Sequence, residues 1–199
     1  LHYGIDAYFH APFKMNDHVE TYVVQEAIWD RGEGRGSLSK QVGKSYSADG
    51  VHLCTVETYD CCIYDGGFGG ERPPKDVVEY PDREPDLTYE EVCGYQWPLI
   101  YRLMGDWHQQ HIDWAYTEQT GLARPINHGV CTAGIAMRHL IALLIPGQPE
   151  RLRRFKCRFT SPVLPGTRLC TQVWKVGEGE ARFCMVNADE PEAKPYLSA

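Results

Sequence analysis

Between residues 18 and 64, hydrophobic and β-favouring side chains gather into three runs, 19–29, 37–46 and 51–64, separated by polar breaks that contain glycine. Each run predicts a strand, and Ala48-Asp49-Gly50 ahead of a Val-led run is a hairpin signal. The break Gly32-Glu33-Gly34-Arg35-Gly36 has the glycine content of a phosphate loop. No helical pattern follows it, so it reads as a bulged hairpin turn. Gly66-Gly67-Phe68-Gly69-Gly70 then opens a polar, proline-rich stretch that ends at Pro85 and looks like a connection, giving a division into residues 1–85 and 86–199.

In the second part, Thr88 and Glu91 stand at capping-box spacing and predict a helix from Tyr89 until Pro98 disturbs it. Asp113 can cap a short helix running through Thr120, with Gly121 ending it. A longer helix is expected from Gly129 through Leu144, stopped by Pro146-Gly147, and its small residues Ala133, Gly134 and Ala136 suit close packing on a sheet. Three strands follow, at 152–159, 167–176 and 181–186. The fold class is therefore α+β, with a helix preceding an antiparallel sheet.

A chain of 199 residues with 43% hydrophobic residues can bury a real core. Its formal charge of -7 and pI near 5.6 argue against a general binder of nucleic acid or of an anionic membrane, leaving a small molecule as the expected partner. Eight cysteines show no CxxC pair and no spaced framework, so they read as mostly reduced, buried thiols of an intracellular protein. No apolar stretch reaches eighteen residues, and the start lacks the basic-then-apolar pattern of a signal peptide. The chain opens directly on strand-like sequence, as a piece of a longer protein would. Leu197-Ser198-Ala199 is not a peroxisomal Ser-Lys-Leu address, which leaves cytoplasm and peroxisome both open as locations.

The chemistry concentrates between Tyr101 and Gly134. Asp106 and His111 lie five apart around a turn, a spacing that lets a carboxylate and an imidazole converge on one water and add or remove it. Gly129 sits where a helix begins, so its amide and the positive helix end can hold an oxyanion while leaving room for a substrate. His108, His111 and Asp113 form an HxxHxD cluster that could also be read as metal ligands. On a regular helix Asp113 would point away from His111, and no distant further ligand stands out, so no metal is expected. Arg154, Lys156 and Arg158 alternate along a strand opposite Phe155, Cys157 and Phe159, a face that could meet the phosphates of coenzyme A or simply face solvent.

Taken in order, these residues resemble the R-specific enoyl-CoA hydratases, or hydratase 2, of the MaoC-like hot-dog superfamily. That family's pattern is approximately Tyr-Arg-Leu-Ser-Gly-Asp-x-Asn-Pro-Leu-His-x-Asp, then Pro-Ile-Leu-His-Gly-Leu-Cys-Thr-x-Gly. Tyr101 to Leu103, Gly105, Asp106, His111, Asp113, Pro125, Ile126, His128, Gly129, Cys131, Thr132 and Gly134 match it. Gly66 to Gly70, Arg154-Phe155-Lys156 and Pro162 to Gly166 are similar to the two-hot-dog branch. The resemblance implies an antiparallel sheet wrapped around a central helix, in a double hot dog whose N-terminal half is incomplete.

It further implies that Asp106 and His111 activate water for addition to a trans-2-enoyl-CoA, that the Gly129 amide holds the thioester oxygen, and that no cofactor is needed beyond the coenzyme A of the substrate. Phe68, Gly69, His108, Asn127, Arg154 and Lys156 are the implied substrate-binding residues, and a homodimer is the implied assembly. The departures are His108-Gln109-Gln110 in place of Asn-Pro-Leu and Asn127 in place of Leu. They keep two alternatives open: a MaoC-like dehydratase or lyase acting on a polyketide-type, steroid-type or other modified substrate, and a noncatalytic hot-dog subunit.

Overall fold

The computed structural model describes residues 1–199. The chain packs as two compact units, one made of residues 1–78 and 148–158, the other of residues 79–147 and 159–199.

The first unit is a sheet of β1 (His2–Phe9), β2 (Val19–Asp30), β3 (Ser37–Ser47), β4 (His52–Cys62) and β6 (Arg154–Phe159), in the order β2-β3-β4-β1-β6. Every neighbouring pair is antiparallel. The three runs read from the sequence are β2, β3 and β4, and the Gly-rich break between β2 and β3 is a turn, not a loop leading to a helix. β1 pairs with β4 on one side and, across a large sequence separation, with β6 on the other, Tyr8 standing opposite Arg154 and Gly4 opposite Arg158. No α-helix lies in this unit.

The Gly66 to Gly70 stretch gains its structure from one buried carboxylate. Asp30, 5% exposed at the end of β2, accepts backbone N–H groups from Gly32 at 2.7 Å, Gly67 at 2.8 Å and Gly69 at 2.7 Å. Glycine is required because a Cβ on Gly66 would run into the carbonyl oxygens of Gly32 and Gly36. Those donated bonds, first the one from Gly67, hold the Asp30 carboxyl below its ordinary value of 3.8.

The second unit contains β5 (Leu87–Val92), β7 (Arg168–Gly177), β8 (Glu180–Asn187) and β9 (Leu197–Ser198), ordered β5-β7-β8-β9, with the sixteen-residue helix α3 (Gly129–Leu144). Helix α3 presents Ala133, Ala136 and Leu140 to a core that includes Leu169, Val173 and Met185, all three of which are fully buried. Truncating a side chain such as Leu169 to Ala would cost about 2–5 kcal/mol. A helix lying with an antiparallel sheet is the arrangement the hot-dog resemblance implies. No helix of the chain is long and apolar enough to cross a membrane.

One element departs from the expectation. Residues 87–92 form strand β5, antiparallel to β7, instead of the first turn of a helix. Thr88 and Glu91 have the spacing of a capping box, but Leu87, Tyr89 and Glu91 alternate with more exposed neighbours at period two, and Tyr89 and Val92 are strand formers. Glu91 instead bonds His139 and Arg138 of α3. The helical segment, α1 (Trp97–Tyr101), begins only five residues beyond β5 and takes Pro98 in its first turn, where a missing N–H costs nothing.

All eight cysteines are free, and burial pushes the thiols of Cys93, Cys157 and Cys184 up to about 12, which leaves them unreactive.

Because the Asp30 carboxyl titrates lower in the folded chain than in the unfolded one, the stability it supplies is present above 3.8 and is lost as pH falls through its folded value. Asp30→Ala is expected to lower the melting temperature at neutral pH and to flatten the acid side of the melting-temperature profile; an acid limb identical to wild type in thermal melts would show that the cradle is not a stabilising feature.

Candidate active site

Helix α1 runs through a 3-10 turn at Arg102–Met104 into Gly105, whose φ of 118° turns the chain sharply and delivers Asp106. A second 3-10 turn, Gln109–His111, is capped by the ring of His108, whose Nδ1 accepts the Gln110 N–H at 3.3 Å. Asp113 caps α2 (Trp114–Gln119) by accepting from the amides of Ala115 and Tyr116, as the sequence suggested. Asp113 and His108 are thus both engaged locally, and the HxxHxD cluster does not assemble.

A different cluster does. His111 Nδ1 donates to the Ile126 carbonyl at 2.9 Å, and the Ile126 N–H returns to the Gln110 carbonyl at 3.1 Å. Since a carbonyl only accepts, the proton sits on Nδ1 and Nε2 keeps its lone pair. Asp106 Oδ2 lies 4.0 Å from that Nε2, a gap that one water between the two groups can span. Two residues after Ile126, the ring of His128 stacks on His111 with centroids 3.6 Å apart and planes 20° from parallel, while Tyr101 packs on His128 at 4.6 Å. His128 Nε2 stands 3.3 Å from the Asp106 carbonyl oxygen and 3.9 Å from Oδ2.

Burial differs sharply across the group: the side chain of Asp106 is 49% exposed, those of His111 and His128 only 5% and 1%. A half-open carboxylate beside two shielded imidazoles stays accessible to water while the rings are held dry. Desolvation is the main force on both histidines and moves each below 6.5; the neighbouring imidazole pushes His111 further down, whereas its bond to Ile126 and the Asp106 charge oppose the shift. A neutral His111 whose Nε2 carries a lone pair can act as a proton acceptor.

Asp106, His111 and His128 place ligand atoms within 4.8 Å of one another, close enough to consider a metal. The bond from His128 Nε2 to a carbonyl requires a proton on that nitrogen, however, so ligation there would first have to break it.

Gly129 opens α3 directly after His128. The amides of a first helical turn lack intrahelical partners, so this end of α3 has N–H groups able to donate to an anion. A Cβ at Gly129 would press on the Phe159 ring at 3.3 Å, so packing favours glycine here. Asn127 is 2% exposed; its amide nitrogen donates to Thr132 Oγ1 at 3.0 Å and its backbone N–H bonds Val163, while Oδ1 has no partner. The site is therefore carried on two strips of chain, 105–113 and 126–129.

The remaining expected binding residues belong to the first unit. Phe68 is 55% exposed on the loop that Asp30 organises, and the Gly69 amide is spent on Asp30. Arg154 forms a two-pronged pair with buried Asp6, at 2.9 and 2.7 Å, and Lys156 pairs with Asp76 at 2.7 Å. Both cations are compensated by carboxylates of their own unit. Two residues that the structure puts in the cluster were not assigned a role from sequence: His128, which stood out only as the neighbour of Gly129, and Gln110, whose amide nitrogen lies 3.1 Å from His111 Nε2.

A MaoC like domain model matches residues 77–191. The chain is 34% identical over 203 residues to a Mycobacterium tuberculosis protein named 3-hydroxyacyl-thioester dehydratase Y, covering 99% of this chain and 70% of that one. It is 40% identical over 114 residues to a probable enoyl-CoA hydratase 2 of Dictyostelium discoideum, covering 56% of this chain but 39% of the relative. The crystal structure of a MaoC-like dehydratase from Phytophthora capsici superposes with a TM-score of 0.87 at 25% identity, over 100% of this chain and 69% of that one. A Mycobacterium tuberculosis protein described as a double hotdog fold shares the fold alone, with a TM-score of 0.60 at 13% identity, over 100% of this chain and 72% of that one.

With both imidazoles depressed by burial, the proton balance favours the unfolded chain as pH falls: their contribution to stability is intact above 6.5 and lost as pH drops through the folded values. Imidazole NMR titration should place the midpoints of His111 and His128 below 6.5; midpoints at or above it would mean that the rings are not shielded as described.

Proposed function

Because the chain belongs to the MaoC-like family, we propose that it is a hydro-lyase, adding water reversibly to a trans-2-enoyl thioester to give the 3R-hydroxyacyl thioester. The observation that carries this reading is the approach of the Asp106 carboxylate and the lone-pair nitrogen of His111 to 4.0 Å beside the first turn of α3. Water held between the two loses a proton to His111 Nε2 as its oxygen bonds C3. Negative charge then moves through C2 onto the thioester oxygen, where the Gly129 amide and the helix end oppose it, and protonation of C2 completes the addition. In reverse, the same groups remove the 3-hydroxyl as water. Neither direction changes oxidation state, so the chemistry asks for no cofactor beyond the coenzyme A carried by the substrate.

A substrate with a hydroxyl or carbonyl near the reacting bond is the second reading. It is favoured by the polar side chains of His108, Gln110 and Asn127 around a site whose related pattern is less polar at two of these positions.

The direct test follows hydration of crotonyl-CoA and longer enoyl-CoAs with chiral product analysis. Asp106→Asn and His111→Ala should each lower turnover by about 10²–10⁴-fold while leaving the circular dichroism spectrum unchanged. Full turnover in both folded variants would remove the Asp106 and His111 assignment, whereas a folded wild type without turnover on any of these thioesters would favour a noncatalytic hot-dog subunit.

A further inference from the structure

The nearest polar side-chain atom to the lone pair of His111 is not on Asp106. Gln110 Nε2 lies 3.1 Å from His111 Nε2, within hydrogen-bond reach, whereas Asp106 Oδ2 at 4.0 Å is outside it. With the His111 proton committed to Ile126 through Nδ1, only a donor can face Nε2, so the Gln110 amide donates there. Its place is fixed from the main chain: the Gln110 N–H is held by His108 and its carbonyl by Ile126. An imidazole nitrogen offers one in-plane lone pair, so this amide stands where an incoming water must dock.

We propose that Gln110 is a positioning residue of the hydration site, whose carboxamide holds the His111 lone pair in line and then, by moving one hydrogen bond outward, grips the water that replaces it. This inference rests on the hydratase reading of the site. A carboxamide carries both a donor and an acceptor, so it can bond either the oxygen or the second hydrogen of that water. Water is then oriented by three groups, His111, Asp106 and Gln110, which define the direction in which its remaining lone pair meets C3. In the related motif a carboxamide stands two positions earlier and leucine occupies this one, so this chain carries its carboxamide at a new place in the turn.

The test compares wild type, Gln110→Leu and Gln110→Glu as purified proteins, with His111→Ala as the inactive control. Leucine is what the related pattern carries here, and glutamate has the shape of glutamine, so both suit the fold. Gln110→Leu is expected to lower kcat on crotonyl-CoA by about ten-fold or more with little change in KM, because orientation and not binding is lost. Gln110→Glu is expected to raise the pH of the acid limb of kcat, and to raise the His111 midpoint in a substrate-free NMR titration, since a carboxylate at this distance favours the imidazolium. Unchanged or faster turnover in Gln110→Leu overturns the proposal, as does a His111 titration in Gln110→Glu that coincides with wild type. If wild type itself leaves enoyl thioesters untouched, the hydratase reading falls and the role in hydration with it; the titration still reports separately whether the contact exists.

Discussion

The reciprocal bonds between Ile126 and the Gln110-His111 pair are the constraint on which the site depends. One bond fixes which nitrogen of His111 carries its proton, and the other fastens the turn that bears Gln110 to the strip leading into α3. Elements as short as α1, α2 and the two 3-10 turns have no stability of their own in water, because nucleation costs more than so few hydrogen bonds return. Their shape is borrowed from what they are tied to. The ring stack of Tyr101, His128 and His111, together with the bond from His128 to the Asp106 carbonyl, completes that tie and brings the carboxylate to face the base.

Helix α3 can serve as an anchor because it is itself held at two levels. Near its start, the Asn127 N–H bonds Val163 and the Asn127 side chain bonds Thr132. Further along, fully buried His139 bonds Thr171 of β7 through Nδ1 and Glu91 of β5 through Nε2, with Tyr89 stacked on its ring at 4.2 Å. A buried imidazole without partners would cost on the order of 1–3 kcal/mol, so these bonds fix the helix in one orientation on its sheet. Gly129 is then presented at a defined height. Burial also lowers the affinity of His139 for a proton, which keeps this joint neutral alongside the two imidazoles of the site.

Much of this was legible along the chain. The runs that became β2, β3 and β4 announce themselves by composition and by the turns between them, and the bounds of α3 follow from a glycine start and a Pro-Gly stop. Asp106, His111 and Gly129 were identifiable by type and order. The misreading of β5 arose because capping-box spacing and strand alternation coexist in six residues, and only the partner strand β7 decides between them. Pairing of β1 with β6 joins residues some 150 positions apart, and the two-residue strand β9 carries no pattern to detect. The roles of His128 and Gln110 were hidden for a related reason: each depends on where a ring plane or an amide points, which residue identity does not encode. Likewise, the charges of Arg154 and Lys156 are visible in sequence, but their compensation by Asp6 and Asp76 is not.

The face-to-face contact of His111 with His128 limits how much charge the site can hold. Two imidazolium rings 3.6 Å apart in a shielded place would repel strongly, so the pair has room for a single added proton. A site with storage for one proton cannot accept a second until the first has left. In the proposed hydration, a proton taken from water would have to leave, to the substrate or to solvent past the half-exposed Asp106, before this ring pair could take up another.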